Sequence, residues 1–135
     1  MSIVVKNVTK LYVQQKALDN VSFEIHKGQV AGFIGPNGAG KSTMMKIITG
    51  YIPPASGEVF VNDLNTVENS INIRKITGYL PEHNPLYPDM YIIEYLKYVA
   101  ELYGIKRNTR ELVDEIMVKT GIVDEKKKKI GALSK

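Results

Sequence analysis

Between Gly32 and Gly40 the chain places four glycines in nine residues, and Lys41, Ser42 and Thr43 follow before the sequence turns apolar. Glycine has no side chain to pack and loses more conformational freedom on folding than any other residue. A stretch this rich in it makes physical sense only where bare backbone is itself a contact surface. The octet GPNGAGKS, residues 35–42, fits the pattern G-x-x-x-x-G-K-[ST]. That pattern needs a buried strand before it and a helix after it. QVAGFI, residues 29–34, is short and apolar almost throughout, as expected of a strand buried on both faces. KSTMMKIIT carries apolar residues at 44, 45, 47 and 48 with Gly50 behind as a C-terminal cap, which predicts a helix.

The chemistry follows from the backbone. Glycines 35, 38 and 40 allow a tight turn and a close approach of N–H groups to an anion. With the free N–H groups and positive dipole end of the helix start, they form a concave site for phosphate oxygens. The loop Gly35, Pro36, Asn37, Gly38, Ala39, Gly40 supplies backbone. Lys41 reaches the β- and γ-phosphates of a nucleoside triphosphate, and Thr43 touches the α-phosphate. The Ser42 hydroxyl suits Mg²⁺, which takes hard oxygens together with substrate phosphates. ATP and Mg²⁺ are therefore the expected ligands.

The rest of the chain divides in two. Residues 1–85 read as a mixed α/β part: strands over SIVVKNVTKLYV and NVSFEIHKG, a loop, short strand and turn over PPASGEVFVND, a short helix over VENSINIRK, and a buried strand over ITGYL. Residues 86–135 read as helical. DMYIIEYLKYVAELYG is apolar at 92, 95, 96, 99, 102 and 103, with Asp89 in front and Gly104 behind. NTRELVDEIMVKTG follows, with a capping box from Asn108 to Glu111 and Gly121 as its stop. PEHNPLYP, rich in proline, joins the parts as a hinge or loop.

Composition removes several classes. No apolar run approaches the roughly 18 residues a membrane span requires. The first residues lack the apolar core of a signal peptide. With no cysteine there is no disulfide and no thiolate metal site, which favours the cytosol. The net charge of +4 resides wholly in residues 105–135, around DEKKKK. No aromatic or arginine interleaves that run, so it reads as a solvated turn or helix end and not as a nucleic-acid surface.

Hydrolysis of a triphosphate needs a further acid at the end of an apolar strand. Asp63 sits in an Asn-Asp turn, and Glu94 continues a helical pattern. Glu82 follows ITGYLP at the carboxyl end of an expected strand, where open α/β sheets bind ligands. None of the three is a convincing catalytic carboxylate. A guanine-specific Asn-Lys-x-Asp motif is absent, and three arginines are too few for a kinase lid.

Taken together, the run from VKNVTKLYV through GPNGAGKS to SGEVFV resembles the first part of an ABC transporter ATP-binding subunit, and the resemblance covers essentially all 135 residues. It implies an α/β P-loop NTPase fold with an N-terminal antiparallel β-subdomain and the start of a helical subdomain, an incomplete domain. It implies that Tyr12, 23 residues before Gly35, stacks on adenine. ITGYLPEHNPLY is similar to the family's glutamine loop, with Glu82 where glutamine is usual, a position that contacts Mg²⁺ or the attacking water and senses the γ-phosphate. Lys41 and Glu82 are thus the catalytic candidates. The YLPE form tilts the resemblance to bacterial exporters of multidrug or gliding-motility type. The surface near Tyr87, Pro88, Asp89 and Met90 is where a membrane subunit would contact the helical part.

IGALSK resembles the lead-in to the family's signature sequence. The rest of the signature, the Asp-Glu strand and the switch histidine are not in these residues. The expectation is a piece of a longer protein, or a truncated gene product. It would bind ATP–Mg²⁺ weakly or not at all, turn over negligibly, and expose one sheet edge and part of its core. The full subunit is expected to be a transport ATPase on the cytoplasmic face of the cell membrane, with a membrane-spanning subunit and a second ATP-binding subunit as partners. The alternatives are a soluble, non-transport ATPase of the same family and a regulatory ATP-binding fragment.

Overall fold

In a computed structural model, residues 1–13, 15–82 and 85–133 are described. His83 and Asn84 of the expected hinge, and Ser134 and Lys135 of the expected signature lead-in, lie outside them. The chain forms two compact units, Met1–Leu80 and Pro81–Lys135.

The first unit is built on four strands, β1 (Ile3–Tyr12), β2 (Gln15–Ile25), β3 (Ser56–Val61) and β4 (Leu64–Asn65). They run antiparallel in the order β2-β1-β3-β4. Strict alternation would place Val5 and Val8 of β1 on opposite faces, yet both are buried. The parity changes at Asn7, whose left-handed φ of 51° marks an irregularity where the pairing register shifts. Ser22 holds it from the neighbouring strand, since its hydroxyl accepts from the Asn7 N–H at 2.8 Å and donates to the Asn7 side chain at 2.9 Å. Asn62 and Asp63, both left-handed, form the tight β3–β4 turn, as the Asn-Asp pair leads one to expect.

Two helices, α1 (Lys41–Ile48) and α2 (Ser70–Ile76), complete the unit. Val5, Val8, Leu18, Val59 and Val61 of the sheet close one core with Met44, Ile47 and Ile48 of α1 and Ile73 of α2. Gly50 stops α1 as read from the sequence: the Gly50 N–H donates to Ile47 and the Tyr51 N–H to Lys46, the paired bonds of a Schellman end.

Two expected strands do not form. Residues 29–34 and 77–80 are irregular, with Ile76 ending α2. Val30 is fully exposed, Ile34 96% exposed and Leu80 80% exposed. A strand exists only through a ladder partner, and among the described residues neither segment has one.

In the second unit α3 (Ile92–Leu102) and α4 (Thr109–Thr120) pack through Ile92, Val113 and Met117, with Ile93, Leu96, Ile122 and Ile130 around them. Residues Lys128 to Gly131 return alongside Pro88 to Ile92, where Ile92 donates to Lys128, Ile130 to Met90 and Gly131 to Pro88. The start of α3 differs from expectation. Tyr91, not Asp89, is its N-cap, and its N–H donates to the Glu94 carboxylate at 3.1 Å. Asp89 is fully exposed and faces Lys129 at 3.9 Å. At α4, Asn108 is the N-cap but adopts a left-handed φ of 55° and makes no side-chain bond, so the expected capping box is absent. The lysine run is solvated and sits between short 3₁₀ turns, with Lys128 on Glu125 at 2.6 Å.

Candidate functional site

α1 begins immediately after the glycine loop, with Gly40 as its N-cap. Its first bond runs from the Met44 N–H to the Gly40 carbonyl at 2.8 Å. The N–H groups of Lys41, Ser42 and Thr43 therefore precede the first intrahelical bond and point out of the helix start. Before them the loop closes on itself through the Ala39 N–H and the Pro36 carbonyl at 3.2 Å. No acidic residue lies in the first turn, and Lys46 occupies the last, so both ends complement the helix dipole.

Gly38 and Gly40 share left-handed φ values of 84° and 82°, but their surroundings differ. A Cβ at Gly38 would meet nothing within 4 Å. One at Gly40 would overlap the carbonyl oxygen of Ala17 and lie 2.8 Å from Leu18 Cδ2. Strand β2 thus forms a wall against which the loop is pressed. Ala17 and Leu18 are site-forming residues that the sequence reading missed. Nothing local marks them, because their role arises only when β2 lies against a loop far along the chain.

The Lys41 ammonium donates to the carbonyls of Gly35 at 2.5 Å and Pro36 at 2.7 Å. It is held at the mouth of the loop by the backbone it follows. Ser42 is exposed and Thr43 half-buried, while Met44 and Ile47 behind them are fully buried. The core fixes the helix, and the helix fixes the direction of its leading N–H groups. An ammonium, three leading amides and an exposed hydroxyl converge on one spot. That donor set suits a polyphosphate with a hard cation: amides and ammonium for the oxygens, hydroxyl for Mg²⁺.

Tyr12 ends β1 opposite Gln15, two residues from Ala17. At ~3.3 Å per strand residue, the hairpin end carrying the ring lies within about 10 Å of the glycine wall. The ring is 46% exposed, and the Lys10 ammonium lies 5.8 Å from its centroid. It presents a flat apolar face with a cation beside it. Tyr12 and residues 35–43 are therefore brought together within one unit. Glu82 belongs to the other unit, where it is exposed in a bend after Pro81.

Comparison with known proteins agrees with this geometry. A family model described as ABC transporter matches residues 18–135. The chain is 39% identical over 132 residues to an uncharacterized ABC transporter ATP-binding protein of Methanocaldococcus jannaschii, covering 97% of this chain and 46% of that protein. It is 32% identical over 136 residues to the bacitracin transport ATP-binding protein of Bacillus licheniformis, covering 99% of this chain and 44% of the relative. A solved dimeric ATP-binding cassette, in a post-hydrolysis state with ADP and Pi, superposes with a TM-score of 0.80 at 27% identity, covering 98% of this chain and 63% of that one. The chain thus spans less than half the length of these two curated relatives.

Proposed function

The chain belongs to the ABC transporter family, and from that premise we propose that residues 35–43 hold the triphosphate of ATP. The N–H groups that lead α1 accept its oxygens as ligands, Lys41 pairs with the β- and γ-phosphates, and Thr43 with the α-phosphate. Ser42 supplies a hydroxyl to Mg²⁺, which when bound screens the crowded phosphate charge. Tyr12 stacks on adenine from the hairpin end. Glu82 approaches the same nucleotide from the second unit, at the position where the family carries glutamine. As a carboxylate it would be the harder Mg²⁺ ligand, and its charge would oppose the γ-phosphate.

In the whole protein this site drives transport. The reading is an ATPase subunit of exporter type, of the multidrug or gliding-motility kind. It would be paired with a second ATP-binding subunit and docked on a membrane-spanning one at the cytoplasmic face. The relative named for bacitracin transport supports the transport reading, and the dimeric cassette supports pairing. No strand-borne catalytic carboxylate accompanies the loop among the described residues, so residues 1–135 alone bind ATP weakly and turn it over negligibly.

One observation carries the proposal: Lys41 and three unbonded amides share the mouth of a loop walled by Ala17. ³¹P NMR of Mg-ATP titrated with the chain tests it. Broadening of the β and γ resonances is expected, and Lys41→Ala abolishes it. Phosphate release should not exceed that of Lys41→Ala. No broadening, or broadening that survives Lys41→Ala, refutes the binding site. Release well above the variant's refutes the inactivity of these residues.

A further inference from the structure

The two segments that read as buried strands and are found irregular share a neighbour. Residues 31–33 and 77–79 both line one cavity of about 650 Å³ inside the first unit. Its other walls are apolar, from Phe23 and Ile25 of β2 and Met44 and Ile48 of α1, with Phe33 and Tyr79 at the rim. Along Val30 to Ile34 and Gly78 to Leu80, no backbone N–H or carbonyl is paired among the described residues. Apolar side chains and unpaired backbone are thus presented together, and an extended peptide satisfies both at once.

We propose that this cavity is a docking site for apolar β-strand polypeptide supplied from outside residues 1–135, which adds as strands to residues 29–34 and 76–80. The sequence character favours strands over a helix or a small ligand. QVAGFI is apolar on both faces, the pattern of an interior parallel strand, and such strands require neighbours as well as cover. The source is argued from length. The Methanocaldococcus jannaschii relative matches 97% of this chain with only 46% of its own length, so more than half of it has no counterpart here. Docking needs no nucleotide, so this inference stands or falls separately from ATP binding.

The test mixes the 135-residue chain with a separate polypeptide comprising the part of that archaeal relative outside the matched region, without nucleotide. Hydrogen exchange and size-exclusion with light scattering read the result. A 1:1 complex is expected, with amides of 30–34 and 78–80 going from fast to slow exchange. Val30→Asp and Leu80→Asp change exposed side chains and should leave the circular dichroism of the free chain unchanged. Each should weaken the complex by ~10-fold or more, because a carboxylate would be buried. Val67→Asp, exposed and outside the cavity, should not. Absence of a complex, protection confined to other segments, or unchanged affinity of both Asp variants overturns the proposal. So does protection of the same amides in the chain alone at high concentration, which would make a second copy the occupant.

Discussion

Gly38 and Gly40 bend the backbone alike, so a substitution series separates conformation from contact. Gly38→Ala meets only the penalty of a left-handed φ, about 1 kcal/mol. Gly40→Ala adds overlap with the Ala17 carbonyl and must shift either loop or strand. We expect it to cost at least about 2 kcal/mol in urea denaturation and to abolish nucleotide binding. Equal losses at the two positions would show that the wall does not matter. Thr66 offers a change of opposite sign. Its side chain is buried and its hydroxyl has no partner among the described residues. Thr66→Val should raise stability by about 1 kcal/mol, since an unsatisfied buried hydroxyl is removed. A loss of stability would mean that the hydroxyl is bonded.

Single elements were legible where their signals are local. The helix stops at Gly50, Gly104 and Gly121 are written in the sequence, and each is left-handed in the structure. Helix starts were less so. Asp89 and Asn108 looked like caps by residue type, but Tyr91 opens α3 because Glu94 reaches back to its N–H. Glu94→Ala should therefore destabilise α3 by about 0.5–1 kcal/mol, visible as faster exchange at its first turn. On α4 the Lys119 ammonium hydrogen-bonds the Glu115 carboxylate at 2.6 Å and holds its pKa below the ordinary glutamate value. A carboxyl with a depressed folded pKa stabilises above its unfolded value. That contribution fades as pH falls through the folded value. Lys119→Ala should return the Glu115 titration, followed by carboxyl NMR, upward toward ordinary glutamate. No movement would place the cause elsewhere.

At the scale of the whole molecule, the two units have unequal cores. Nine buried apolar residues close the first and three the second. Native-state hydrogen exchange should accordingly be slowest in β1 and β3, and faster throughout α3 and α4. The reverse order would mean that burial is a poor guide to local stability in this chain. What the sequence could not reveal is relational. Residues 29–34 and 76–80 have strand composition, yet a strand is a property of two segments, and periodicity in one of them says nothing about whether the other is present. The same limit hid Ala17. GPNGAGKS was readable because its chemistry is local, whereas the surface that shapes it comes from β2.

That contact between Gly40 and Ala17 has a consequence for portability. A peptide cut to residues 32–50 would carry every letter of the phosphate pattern and the helix behind it, but not the strand that confines Gly40. Grafted into another scaffold, the motif would bend freely where here it has one allowed position. The transplantable unit is loop plus hairpin, two stretches that are distant in the sequence and inseparable in the fold.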